Sequence, residues 1–287
     1  NNYSAGDIYL GKVRKIIPGL NAAFVNIGYE KDGFLHYLDL GVKFNSYKKY
    51  VTQAVAKKLN TASLKNFKQE ANLDKNGTID IALKGGDFVL TQITKEPIST
   101  KGPRLTTEIS IAGRYMVLIP FSEKISISQK IQNTEEQKRL KKLIRSIKPH
   151  GFGVIIRTVA MGKKVAELDK DLKNLYKKWQ RINKKLKDAK PKTRIHGELH
   201  KKFTILRDLL SENFNKIYVN NKDLQLELKE YLSKIAPKKE KIVTLHKKDK
   251  EIFQEFNITK QIKSAFGKNV TMKKGTYLVI EHTEALH

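Results

Sequence analysis

Between Gly6 and Leu40 the chain reads GDIYLGKVRKI, then PGLNAAFVNIG, then KDGFLHYLDL: short apolar runs cut repeatedly by glycine or by Pro18-Gly19. The alternation in Ile8-Tyr9-Leu10 and in Ala23-Phe24-Val25-Asn26-Ile27 has the period of two that belongs to half-buried strands. This spacing predicts short antiparallel strands joined by tight turns, the pattern of a β-barrel or sandwich. Alternation returns in Asp87 to Ile93, which adds one more strand before a loop from Lys95 to Arg104. The stretch between them, about 41–85, is rich in Lys and Asn and reads as an insertion carrying a helix near Ser46 to Leu59.

Beyond residue 107 the pattern changes. Strands at Tyr115 to Pro120 and Gly153 to Thr158 alternate with helices at Glu135 to Ile147 and Val165 to Lys187. Pro191 to Thr193 reads as a connector. Helices are expected at His196 to Asp208, Lys222 to Ile235 and Lys250 to Phe266, with strands at Lys216 to Val219 and Lys241 to Leu245. The fold class is therefore α+β and multidomain.

Charge narrows the function. The 287 residues hold 57 Lys+Arg against 29 Asp+Glu, a formal net charge of +28, and most of the excess lies beyond residue 107. A field of that sign attracts polyanions, and nucleic acid is the first partner it suggests, with a membrane surface as the rival. No apolar run approaches the roughly 20 residues that span a bilayer, and no basic-then-apolar leader opens the chain, so a cytoplasmic protein is expected. Cysteine is absent, which excludes disulfides, thiolate zinc sites and a cysteine nucleophile within these residues. The lack of an initiator Met and the strand-like run from Gly275 to His287 suggest that both ends are cuts within a larger chain.

Specific motifs then connect the two halves. Gly11-Lys12-Val13, Pro18-Gly19, Ala22-Ala23-Phe24-Val25, Gly28 and Gly33-Phe34-Leu35-His36 together resemble the OB-fold RNA-binding domain found in ribonucleases of the E/G family. Phe24 also fits a buried strand, whereas Phe34 beside Gly33 in a turn-like setting suits an exposed position. The resemblance implies that Phe24 and Phe34 stack on single-stranded bases while Lys12, Lys95 and Lys101 neutralise phosphates. The run Lys101 to Pro120, with Ile156-Arg157-Thr158-Val159-Ala160-Met161-Gly162, resembles the same family's 5′-sensor domain. There an Arg-Thr pair holds the monophosphate at an RNA 5′ end. By that resemblance Arg157 and Thr158 are the phosphate ligands, with Gly113 and Val117 at positions that line the pocket or face the first base. Where some members carry two consecutive arginines, this chain has Ser128-Gln129-Lys130, so only Lys130 supplies charge there.

Downstream, Glu198 to Thr271 resembles the family's RNase H-like subdomain without its opening strands. Glu198, Asp208, Glu212 and Asp223 are read as structural or solvated acids and not as a metal cluster. Tyr277 to Leu286 resembles the first strand of the DNase I-like catalytic subdomain, which in the family leads into the aspartates that hold Mg²⁺. Those aspartates are absent from this sequence. Glu281 and Thr283 would face away from His282 and Glu284, and none of them matches a metal ligand, so no catalytic or metal residue is expected in this chain.

The resulting layout is an OB-fold domain over 1–107, a 5′-sensor domain over 108–197, a partial RNase H-like subdomain over 198–274, and the start of a DNase I-like subdomain over 275–287. The resemblance implies a Mg²⁺-dependent endoribonuclease for RNA processing and decay, homo-oligomeric when complete and preferring 5′-monophosphorylated single-stranded RNA. A non-enzymatic single-stranded RNA-binding protein is the alternative.

Overall fold

The computed structural model describes residues 3–211, 213–247, 249–272 and 275–281. They form two compact units, 1–209 and 210–287.

The first unit opens with five strands: β1 (Ile8–Ile17), β2 (Ala22–Asn26), β3 (Gly33–His36), β4 (Phe88–Lys95) and β5 (Arg104–Thr106). Their order is β1-β2-β3-β5-β4, and β4 pairs back to β1, which closes a barrel. All pairings are antiparallel except β3 with β5. That order, with its single parallel pair, is the topology of an OB-type barrel. β1 is long because it serves two partners, pairing Ile8 to Lys12 with β4 and Lys12 to Ile17 with β2. A bulge at Arg14, between Val13 and Lys15, lets it bend from one to the other.

The segment read as an insertion connects β3 to β4, and it is not peripheral. Its helix α1 (Phe44–Val55) buries Phe44 in the barrel core and Tyr47, Tyr50, Val51 and Ala54 in the neighbouring core. A short helix, α2 (Ile79–Ala82), plugs the barrel with Ile79.

A second sheet follows, ordered β6 (Ile111–Ala112), β7 (Met116–Pro120), β9 (Phe152–Ile156), β8 (Ile125–Ile127). Helices α3 (Thr134–Ile147) and α4 (Val165–Lys187) accompany it. On α4 the buried apolar residues are Leu168, Leu172, Leu175, Trp179, Ile182 and Leu186, spaced alternately four and three apart, which places them on one face. They pack with Met116, Leu118, Val154 and Ile156 from one side of the sheet.

The core crosses the boundary expected near residue 107. Ile8, Leu10 and Leu90 of the barrel share a cluster with Met116, Phe152 and Trp179. Trp179 Nε1 donates to Ala62 O at 2.9 Å, and Tyr50 Oη donates to Asn183 Oδ1 at 2.7 Å. The expected connector leads into a strand, β10 (Thr193–His196), which pairs antiparallel with β1. In place of one helix over His196 to Asp208 the chain therefore forms β10 and then α5 (Lys201–Leu209).

The second unit contains β11 (Ile217–Val219) and β12 (Val243–Leu245), paired in parallel across helix α6 (Lys222–Ile235). Asn221 caps α6 by accepting from Leu224 N at 2.8 Å. The single helix expected over Lys250 to Phe266 is broken into α7 (Ile252–Glu255) and α8 (Ile258–Ala265), because Asn257 takes a left-handed conformation. A hairpin of β13 (Asn269–Thr271) and β14 (Tyr277–Val279) follows. Glu212 and the run 282–287, which includes His282, Thr283 and Glu284, lie outside the described residues.

Candidate nucleic-acid interface

Strand pairing builds one face of the barrel. Lys15 on β1 lies opposite Phe24 on β2, Phe24 opposite Phe34 on β3, and Phe34 opposite Arg104 on β5. The result is a cross-strand row with two phenyl rings at its centre and a cation at each end. Both rings are half-buried while Ala23, Val25 and Leu35 point inward, so Phe24 sits on the outer surface and not in the core. The ring centroids lie 5.9 Å apart in an edge arrangement, and His36 stands 6.5 Å from Phe34.

A groove of about 530 Å³ beside the rings is lined by Phe24, Phe34, Lys31, Lys101, Gly102 and Arg104 among others. Lys101 is presented by a tight turn in which Ile98 and Lys101 exchange backbone hydrogen bonds of 3.2 and 3.0 Å. Gly102 is required by packing, since a Cβ there would lie 2.1 Å from Asp32 O. Arg104 is exposed and held by Asp39, with Nε donating to Oδ2 at 3.0 Å. Lys12 is exposed on the same strand as Lys15, opposite Asn26 and Phe88. Lys95 is exposed at the end of β4, opposite Arg104. Four of the five sequence-predicted residues thus share or flank the row, and Lys95 reaches it through the Arg104 pairing.

Lys15, Lys31 and His36 were missed. Lys15 was hidden by the bulge: strict alternation outward from Lys12 would point Lys15 inward, and the extra residue Arg14 reverses that parity. His36 could have been found, because it lies two residues from Phe34 on the same face.

The residues expected to form the second site lie at one end of the β6-β7-β9-β8 sheet. Arg157 and Thr158 follow β9 directly, and Arg157 N donates to Tyr115 O at 2.9 Å. Ser128 at the end of β8 donates through its N to Ile156 O at 2.9 Å, which places its hydroxyl 3.1 Å from that of Thr158. Arg157 Nη1 donates to Gly113 O at 2.9 Å, so Arg157, Thr158 and Gly113 converge. Gly113 is held tight for a structural reason too. The half-buried Asp171 on α4 accepts from Tyr115 N at 2.8 Å and Arg114 N at 3.3 Å, and a Cβ on Gly113 would lie 2.7 Å from its carboxylate. Burial pushes the Asp171 carboxyl up, against the pull of those N–H groups. Val117 is half-buried and opposite Ile155, which the pleat places on the same sheet face as Arg157. Lys130 is exposed in a turn closed by Ile131 N donating to Ser128 O at 3.0 Å.

Arg157 also has an acidic partner. Its Nη1 donates to Asp208 Oδ1 at 2.7 Å. Asp208 accepts from Arg207 Nε at 2.8 Å as well, and Arg207 Nη1 donates to Glu198 Oε1 at 2.9 Å. Burial alone would raise the Asp208 carboxyl, but the hydrogen bonds and charges of Arg207 and Arg157 hold it below the usual carboxylate range. The chain Arg157–Asp208–Arg207–Glu198 leaves both acids committed to guanidinium groups. No cluster of three His, Cys, Asp or Glu able to hold a metal occurs among the described residues.

Among the described residues no helix is long and apolar enough to cross a membrane. A family model described as the ribonuclease E/G family matches residues 110–287. Ribonuclease G of Haemophilus influenzae is 32% identical over 281 residues, covering 98% of this chain and 53% of that protein. Ribonuclease G of Escherichia coli is 31% identical over 281 residues, with 98% and 54% covered. Ribonuclease E of Nostoc sp. is 31% identical over 290 residues, covering 99% of this chain and 38% of its own length. The chain spans about half the length, or less, of these relatives. Both the matched family model and the relatives that run across the barrel row and the Arg157 turn lead to one conclusion: the chain belongs to the ribonuclease E/G family.

Proposed function

We propose that this chain is the RNA-binding and 5′-end-sensing part of a bacterial endoribonuclease that acts on single-stranded RNA. The observation that carries the reading is the row Lys15–Phe24–Phe34–Arg104 on the outer face of the barrel. Every base has a π-face, so two outward phenyl rings bind a single strand without selecting its sequence. Cations at both ends of the row, with Lys101 and Lys31 along the groove, meet the phosphates that follow and precede the stacked bases. Lys12 and Lys95 extend that basic rim.

The 5′ end would be read at Arg157. A terminal monophosphate carries more charge than an internal diester and offers several acceptor oxygens, which suits a guanidinium fork together with the hydroxyls of Thr158 and Ser128. A 5′ hydroxyl gives these groups nothing to hold. Asp208 now takes the place of the anion on Arg157, so phosphate binding is an exchange of one anionic partner for another. Gly113 sets the turn that fixes Arg157, Val117 offers an apolar patch for the first base, and Lys130 adds charge from the neighbouring turn.

Magnesium-dependent hydrolysis belongs to the reading of the complete enzyme. Of the acids weighed as metal ligands, Glu198 and Asp208 are tied to arginines, and Asp223 sits in the first turn of α6, where a carboxylate complements the helix dipole. This chain alone is expected to bind RNA without cutting it. We assign the barrel through residue 107 to RNA binding, 108–197 to sensing, and 198–274 to the RNase H-like part.

Phe34→Ala tests the carrying observation. Affinity for a short single-stranded RNA, followed by fluorescence anisotropy, should fall by about 1–3 kcal/mol whichever group ends the RNA. Unchanged affinity in a folded variant would refute the stacking row.

A further inference from the structure

We propose a second RNA-backbone groove, at the opposite end of the edge strand β8 from Arg157, in which Lys141 and Arg145 bind phosphates; it rests on the RNA-binding reading above. Helix α3 divides into two halves. In its first turns the cations are matched, Lys138 with Glu135 and Arg139 with Glu136. In its second half Lys141 and Arg145 stand one turn apart and exposed, with no side-chain hydrogen bond or ion pair among the described residues. Like charges at that spacing weaken a helix by a few tenths of a kcal/mol, and only the last turn is compensated by the helix dipole.

These two cations line a groove of about 490 Å³ together with Ser146, His150, Lys148 and Glu123. Glu123, the one acid in that lining, is already neutralised: Lys148 Nζ and Gly151 N both donate to it. The groove therefore presents positive charge with no free acid in its lining to pair it, beside the hydroxyl of Ser146 and the exposed ring of His150. A volume of this size accommodates a sugar-phosphate unit. Phosphate diesters fit such a lining better than an apolar partner does.

Position gives the groove its use. Glu123 and Ile125 lie at the start of β8, and Ser128 and Lys130 lie just past its end. At the rise of an extended strand Ile125 and Ser128 are separated by roughly 10 Å. A strand held by its 5′ end at Arg157 can follow this edge and place a later phosphate between Lys141 and Arg145.

The test is RNA affinity as a function of salt for the double variant Lys141→Gln/Arg145→Gln, with Lys65→Gln/Lys68→Gln as a control of equal charge loss. The expected result is about tenfold weaker binding at low salt for both 5′-monophosphate and 5′-hydroxyl RNA, and a log–log salt slope reduced by roughly 0.7 per cation removed. The ratio between the two 5′ forms should stay as in wild type, and the thermal midpoint should confirm folding. Wild-type affinity in the double variant, or an equal loss in the control, would overturn the groove. Loss of binding to phosphatidylserine vesicles with RNA affinity intact would also overturn it, by assigning the surface to lipid. Equal affinity of wild type for the two 5′ forms would instead refute the sensor reading, and leaves the salt-slope result to decide the groove.

Discussion

Arg157 is the residue on which the sensing account turns, because its environment contains both a reason to bind phosphate and a competitor for it. Asp208 sits 2.7 Å from its Nη1. Arg157→Ala should abolish any preference for a 5′ monophosphate while leaving generic RNA affinity nearly intact; a preference that persists would place the phosphate elsewhere. Asp208→Asn should act in the opposite direction on binding, releasing Arg157 and widening the ratio between the two 5′ forms. The same substitution has a pH signature. Asp208 has a folded pKa held low, so its contribution to stability is present above the ordinary carboxylate pKa and is lost as pH falls through the lowered value. Chemical denaturation at neutral pH should show the variant less stable by about 1–3 kcal/mol, and the gap should close under acid conditions below about pH 4. A gap independent of pH would mean that the pair does not stabilise the fold. Sequence reading placed Arg157 and Thr158 together by adjacency, but it could not see Asp208. The two meet only because α5 returns to the sheet end, and no periodicity encodes such a meeting.

At the scale of elements, legibility followed locality. Helices α4 and α6 were readable to the residue at both ends, because α4 carries its buried face at alternating four- and three-residue spacing and α6 opens on an Asn cap. Strand β10 was not readable. Its four residues, Thr193-Arg194-Ile195-His196, are mostly polar, and they become a strand because β1 offers a free edge at Ile8 to Leu10. The fully buried Asp7 reinforces this by accepting from Arg194 Nη2 at 2.7 Å and Glu198 N at 2.8 Å. The cross-strand row had a similar split: Phe34 was legible beside Gly33, though in a strand and not a turn, whereas Lys15 depended on a bulge. Gly102 belongs to this scale as well, since it lets the Lys101 turn approach the loop at Asp32. Gly102→Ala should destabilise the barrel by about 1–3 kcal/mol, because the atom it meets is backbone and cannot rotate away. It should also weaken RNA binding, whichever 5′ end the RNA carries. A variant as stable as wild type would show that the two loops can separate.

For the molecule, the important fact is that barrel and second sheet share a core within the first unit. Trp179 is fully buried, is tilted against Tyr50 with centroids 5.3 Å apart, and bonds to Ala62 of the connecting segment. Trp179→Ala should cost about 3–5 kcal/mol and should lower hydrogen-exchange protection in β1 and in β7 together. Loss confined to the second sheet would show that the barrel folds independently. This coupling was not legible in the sequence, because the segment 41–85 looked like a polar insertion: its core residues, Tyr47, Tyr50 and Val51, are spread thinly among lysines and asparagines. A rigid connection also bears on the proposed function, since it fixes the spacing between the rings proposed to hold an RNA strand and the turn proposed to read its end. The most direct test of that account is the affinity of the wild-type chain for one short single-stranded RNA ending in either a 5′ monophosphate or a 5′ hydroxyl. Salt should be near physiological, where generic phosphate attraction is damped. Tighter binding of the monophosphate is expected; equal affinity for the two ends would refute 5′-end sensing by this chain.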